Sequence, residues 1–144
     1  MAAKDELVRM LNDALRLEHA ARIQYLAHAQ QATTPAVIAR LQEIAEDEKK
    51  HEDTFRELIG AYLDSVPTME IGETHQARSQ DDIIDVNIQD EKHAIDVYIT
   101  ILEKIRESRD EFKYEYFQLE HGVRHVIQDE QEHVSELKLL LAKP

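Results

Sequence analysis

The sequence predicts an all-α protein, an antiparallel four-helix bundle with a long crossover between its second and third helices. Three observations carry that expectation. Gly and Pro occur only three times each in 144 residues, and the stretches between them are rich in strong helix formers. Four of those stretches repeat their apolar residues at the helical period. The chain also contains a faint internal repeat. Asp47-Glu48-Lys49-Lys50-His51 returns as Asp129-Glu130-Gln131-Glu132-His133, and Glu18 followed by Tyr25 returns as Glu91 followed by Tyr98. The first helix is thus like the third and the second like the fourth, as two helical hairpins related by a two-fold would be. Residues 1–144 are read as one domain.

The first helix is expected from Asp5 to Gln31, closed by Thr33-Thr34-Pro35. Thr34 is placed to cap the second helix, with Pro35 at its first position, where a missing N–H costs nothing. That helix should run to Leu63. Asp64 to Arg78, with Pro67 and Gly72, shows no period. Its roughly 15 residues span about 50 Å when extended, enough to run the length of the bundle and start the third helix beside the second. Ser79 opens the third helix, with Asp82 three residues on in a capping-box-like arrangement. The third and fourth helices should meet near Ser108-Arg109-Asp110-Glu111, and the last should end at Lys143-Pro144. In an antiparallel hairpin, residues at one height lie symmetrically about the turn. Glu18 and Glu48 are centred on position 33, and Glu91 and Glu130 between 110 and 111, so each hairpin brings its glutamates level.

Each of those glutamates lies in an apolar stripe. At about 100° per residue, Leu7, Leu11, Ala14, Tyr25 and Ala29 share the side of Glu18, and Val37, Leu41, Ile44, Phe55, Ile59 and Tyr62 that of Glu48. Ile84, Ile95, Tyr98, Leu102 and Ile105 accompany Glu91. Phe112, Leu119, Val123, Val126, Val134, Leu137 and Leu141 accompany Glu130. His51 and His133 sit three residues beyond their glutamates, on the same side. Four carboxylates buried as bare anions would be very unfavourable. Either they are protonated and hydrogen-bonded, or cations lie among them. Two divalent cations would balance four carboxylates, with the imidazoles as neutral ligands. One Glu-x-x-His pair would mean little; two, each level with a glutamate on its hairpin partner, match the carboxylate bundles that hold two metal ions.

The rest of the composition narrows the function. With 30 acids against 17 bases the net charge is −13, which disfavours nucleic acid and anionic membranes and suits a protein that attracts cations. No cysteine is present, so disulfides, thiolate metal sites and thiol nucleophiles are excluded. No apolar run approaches the roughly 18 residues of a membrane span. No signal-like segment opens the chain, and the expected location is cytoplasmic. Arg22 is read as a salt-bridge partner; His19, His28 and His93 as solvated; His121, His125 and Asp129 as a surface or subunit-contact ladder. His75 falls in the crossover and carries no reading. Glu111 to Glu120, with Tyr114, Tyr116 and Phe117, is either a dimer surface or helix packing.

The run Leu11-Asn12-Asp13-Ala14-Leu15-Arg16-Leu17-Glu18-His19, Tyr25 and the two Glu-x-x-His motifs resemble the ferritin-like superfamily, bacterioferritin most closely. The resemblance implies two iron ions, bridged by Glu48 and Glu130, with Glu18 and Glu91 ligating one each and His51 and His133 completing the set. It implies oxidation of Fe(II) by dioxygen or peroxide, with Tyr25 beside the centre able to supply an electron. Manganese is the alternative metal. Three departures shape the expectation further. Lys49 stands where bacterioferritin has its haem-ligating methionine, so haem is not expected. Only 14 residues follow Glu130, about enough to finish the fourth helix, so the fifth helix of cage ferritins is not expected, which argues against a 24-subunit storage shell; a homodimer or larger homo-oligomer is expected. Ala94 stands where peroxide-reducing rubrerythrins carry an extra glutamate, and without cysteine no rubredoxin-like module is possible, so rubrerythrin is disfavoured. Alternatives to a ferroxidase-type oxidoreductase are a non-catalytic iron or manganese protein and a metal-free structural bundle.

Overall fold

Helices form where the apolar period runs. The computed structural model describes residues 2–141, so the expected helix end at Lys143-Pro144 lies outside them. The helices are α1 (Ala2–Gln31), α2 (Pro35–Glu57), α3 (Gln80–Glu107) and α4 (Tyr116–Leu141). Beyond Glu57, α2 widens into a π-helical turn, Leu58–Tyr62, closed by Leu63 N–H on Leu58 O and Ser65 N–H on Ile59 O. Asp64 then turns the chain out with a left-handed φ of 52°, a conformation Asp tolerates better than most residues.

Both helix starts at the upper end depend on side chains. Ser79 caps α3, its hydroxyl accepting Asp82 N–H at 3.1 Å as expected. Thr34 stands at the N-cap of α2 but makes no cap bond, which corrects the sequence reading. Its hydroxyl instead accepts from Gln80 Nε2 at 3.0 Å. Gln80 Oε1 accepts the amides of Thr33 and Thr34 at 2.8 and 2.9 Å. One glutamine therefore ties the first hairpin turn to the start of α3.

The crossover follows α1. Asn12 accepts Thr68 N–H at 2.8 Å, Gly72 N–H reaches Arg16 O at 3.0 Å, and His75 N–H reaches Gln24 Oε1 at 2.6 Å. Gly72 suits that approach, because an added Cβ would lie 3.1 Å from Arg16 O and the two backbones would have to part by a few tenths of an ångström. The crossover delivers α3 to the end where α2 begins, but α3 packs on α1 and α4. Among the described residues α2 and α3 lie diagonally, their backbones apart and only core side chains such as Phe55 and Tyr98 meeting, at 5.2 Å between ring centroids, so α3 does not pack beside α2 as the crossover length would have permitted.

The start of α4 is later than expected. Ser108 to Glu115 form successive turns, with Glu111 and Phe112 amides on Ser108 O and Glu115 N–H on Phe112 O. This bend turns Phe112 into the core while Tyr114 and Phe117 stay exposed. The Arg109 guanidinium covers Tyr116 and Phe117. The aromatic stretch is thus helix packing at Phe112 and Tyr116, while Tyr114 and Phe117 are exposed rings lying against the Lys113 and Arg109 side chains.

The core is in two parts. Leu7, Leu11, Phe55, Ile59, Tyr98 and Leu119 belong to one cluster, and Val37, Leu41, Ile44, Ile84 and Leu137 to the other. Each such side chain contributes about 1.5–3 kcal/mol on burial. The predicted stripes are buried except Tyr62, Ile95, Val134 and Leu141, which are half-buried. Between the clusters lies a polar layer. Among the described residues no helix is long and apolar enough to cross a membrane.

Candidate metal centre

The polar layer contains all six metal-ligand candidates. Glu18, Glu48, His51, Glu91, Glu130 and His133 are each at most 3 % exposed. They form two overlapping groups, Glu18-Glu48-His51-Glu130 and Glu48-Glu91-Glu130-His133, with one ligand atom from each residue within 4.8 Å of the others. Glu48 and Glu130 belong to both. Helix register produces this: each hairpin sets its glutamates level, and the Glu-x-x-His spacing turns both side chains to one face.

Polar atoms this deeply buried are normally hydrogen-bonded. Here seven among the described residues are not: Glu18 Oε1, both Glu48 oxygens, Glu91 Oε1, Glu130 Oε1, His51 Nδ1 and His133 Nδ1. All seven are in this layer. His51 Nδ1 lies 3.0 Å from Glu48 Oε1 and 3.3 Å from both Glu18 Oε1 and Glu130 Oε1. His133 Nδ1 lies 3.1 Å from Glu130 Oε1 and 3.3 Å from Glu91 Oε2. One ring nitrogen carries at most one proton and cannot serve several oxygens. Carboxylate oxygens and imidazole nitrogens converging on a dry space fit divalent cations such as iron or manganese.

The outward-facing atoms of both histidines and of Glu18 and Glu91 are engaged. His51 Nε2 donates to Asp129 Oδ2 at 2.9 Å and His133 Nε2 to Asp47 Oδ2 at 3.0 Å. Tyr25 Oη donates to Glu91 Oε2 at 2.6 Å and Tyr98 Oη to Glu18 Oε2 at 2.5 Å. The two-fold exchanges these pairs, so Tyr25 and Tyr98 stand alike. Each histidine thus presents Nδ1 inward and has its proton placed on Nε2, the arrangement common behind metal-bound imidazoles. Asp47 and Asp129 were missed as partners, although the repeat places an aspartate before each glutamate. Asp129 does approach His125, at 3.7 Å, and His121 stacks on His125, both histidines exposed.

Burial pushes the Glu48 and Glu130 carboxyls well up, and the neighbouring glutamates push them further. Burial alone would lower the imidazoles, but the facing carboxylates outweigh it. His133 rises to about 10 through Glu91, and His51 rises strongly through Glu130, Glu18 and Glu48. Burial, then the nearby glutamates, hold the Tyr25 and Tyr98 phenols protonated. Lacking cations, the layer retains protons.

Around the layer, several side chains depart from expectation. His19 and His28 are buried, not solvated. His19 Nδ1 meets Glu70 O at 2.6 Å because the crossover covers this side of α1, and His28 meets Asn87 at 2.9 Å on α3. His93 is exposed as expected. Arg22 pairs with buried Glu52, as a salt-bridge partner should. On the α1–α3 side a cavity of about 130 Å³ runs between Ala20, Ala21 and Ala94 down to Glu18 and Glu91. Its mouth carries Glu73 and His75, the latter bonded to Asp90 at 2.9 Å and Glu73 at 2.7 Å.

Known proteins bear on this arrangement. A family model described as rubrerythrin matches residues 9–141. A solved structure described as that of ferritin-like, diiron-carboxylate proteins from Bacillus anthracis str. Ames superposes with a TM-score of 0.88. It is 24% identical, over 98% of this chain and 99% of that one. No curated protein matches. The superfamily expectation therefore holds. The leaning away from rubrerythrin does not: the family model matches residues 9–141 despite Ala94 and the absence of cysteine. The chain belongs to the rubrerythrin family, within the ferritin-like superfamily.

Proposed function

We propose that this protein binds two iron ions in the glutamate layer and oxidises Fe(II) with dioxygen or peroxide, as a ferroxidase-type oxidoreductase in iron handling. The observation that supports it is the set of seven buried, unpartnered oxygen and nitrogen atoms with Glu48 and Glu130 common to both groups. Iron supplies the electrons: two Fe(II) give up one each, and dioxygen with two protons leaves as hydrogen peroxide. Glu48 and Glu130, common to both groups, would hold both ions, Glu18 with His51 would hold one, and Glu91 with His133 the other. Asp129 and Asp47 hold the imidazoles in the tautomer that leaves Nδ1 free. The two apolar clusters exclude bulk water above and below. Tyr25 orients Glu91 through its hydroxyl, and were it to lose an electron its proton would pass to that carboxylate. The same oxygen and nitrogen donors suit manganese, which would give a binding protein in place of an oxidase.

Anaerobic titration should reach two Fe(II) per chain. Admitting air should then raise the near-ultraviolet absorbance of Fe(III). Glu48→Ala, which removes a ligand from both groups, should abolish the change; a variant as fast as the parent rules the assignment out.

A further inference from the structure

His51 and His133 stand three residues beyond Glu48 and Glu130; at the matching positions of α1 and α3, beyond Glu18 and Glu91, are Ala21 and Ala94. The two-fold therefore sets imidazoles on the α2–α4 side of the layer and methyl groups on the α1–α3 side. The cavity of about 130 Å³ opens against those methyl groups. A cavity of about this size with apolar walls accommodates a benzene-sized molecule.

We propose that this cavity is a binding pocket for a small uncharged organic molecule, a compact apolar body of about six carbon atoms carrying one hydroxyl or hydroperoxyl group. This deepens the iron-oxidase reading, on which it rests for the chemistry at the pocket floor, by naming the class of ligand the centre would meet. Ala20, Ala21 and Ala94 supply the apolar wall. The floor is the glutamate layer itself, Glu18, Glu48, Glu91 and Glu130, so the polar end of the ligand turns there, toward the buried, unpartnered Glu18 Oε1 and Glu91 Oε1 in the metal-free protein and toward the ions they would hold in the loaded one. Charge selects against anions. Glu73 and Asp90 line the mouth, and the imidazole between them, His75, is already bonded to both. An anion entering would lose its hydration and meet mostly carboxylates, because the lining amides of Gln24 and Asn87 and the Tyr25 and Tyr98 hydroxyls already donate elsewhere and His93 stands at the exposed rim.

Phenol and benzoate test this, having the same ring but different charge near pH 7. Binding is measured by calorimetry on metal-free protein and on protein loaded with redox-inert zinc, whose content is determined separately. Phenol should bind once per chain, about tenfold or more tighter than benzoate. Ala94→Leu and Ala21→Leu extend side chains into the cavity from facing helices. Each should weaken phenol about tenfold or more while zinc content and helicity persist. Thr100→Leu, on the exposed side of α3, should leave binding unchanged. Absence of phenol binding to both forms of the parent, or parental affinity in both folded leucine variants, overturns the pocket. Failure to take up zinc while phenol still binds supports the pocket and counts against the metal reading, so the two failures are distinguishable.

Discussion

Asp47 and Asp129 touch no atom of the converging donor set, yet each sets the tautomer of a histidine on the facing hairpin. Asp47→Asn and Asp129→Asn keep the shape and remove the charge. Each should weaken metal binding about 10–100-fold, measured by competition with a chelator. Because Asp47 acts through His133, its effect should vanish in a His133→Ala background, which a general loss of stability would not do. These aspartates were hard to find for a physical reason. Glu18, Glu48, Glu91 and Glu130 were conspicuous because charge interrupts an apolar stripe, whereas Asp47 and Asp129 lie on helix flanks where acids are ordinary. Only the register of the opposite helix gives them a partner. His19 and His28 were misread likewise: their cover comes from the crossover and α3, neither of which is visible in the periodicity of α1.

Among the elements, the legible boundaries were those with local chemistry. Ser79 opens α3 by bonding Asp82 N–H three residues on. Ser79→Ala should cost about 1 kcal/mol in urea denaturation, and Ser79→Asp should restore most of it. Thr34 presents the same signal, but its hydroxyl is taken by Gln80 from 46 residues away, a competition that no local pattern reveals. The delayed start of α4 has a similar origin. Phe112 fits the helical period of the fourth stripe, but at the end of the bundle it reaches the core from a turn. The crossover was identified by its lack of period, while its path along α1 depends on Asn12, on the Arg16 carbonyl and on the missing side chain of Gly72.

At the scale of the molecule, the layer makes stability depend on pH with a definite sign. Glu48 and Glu130 hold protons above their ordinary 4.5, and His51 and His133 above 6.5, so the folded state binds these protons more tightly than the unfolded one. Through these groups, the stability of the metal-free protein falls as pH rises above 4.5 for the glutamates and 6.5 for the histidines, up to about 10 for His133. Urea midpoints in chelator should therefore be lower at about pH 8.5 than at about pH 6. With metal the order should reverse, since the ions displace those protons and bind more tightly as pH rises. Equal dependence with and without metal would show that the carboxylates are not where the ions bind. The two-fold arrangement has one more implication. The α1–α2 hairpin carries Glu18, Glu48 and His51, and α3–α4 carries their counterparts Glu91, Glu130 and His133. A half-length chain meeting its own twin would muster the same six donors, so what the full chain adds is a tether that spares the halves from having to find each other.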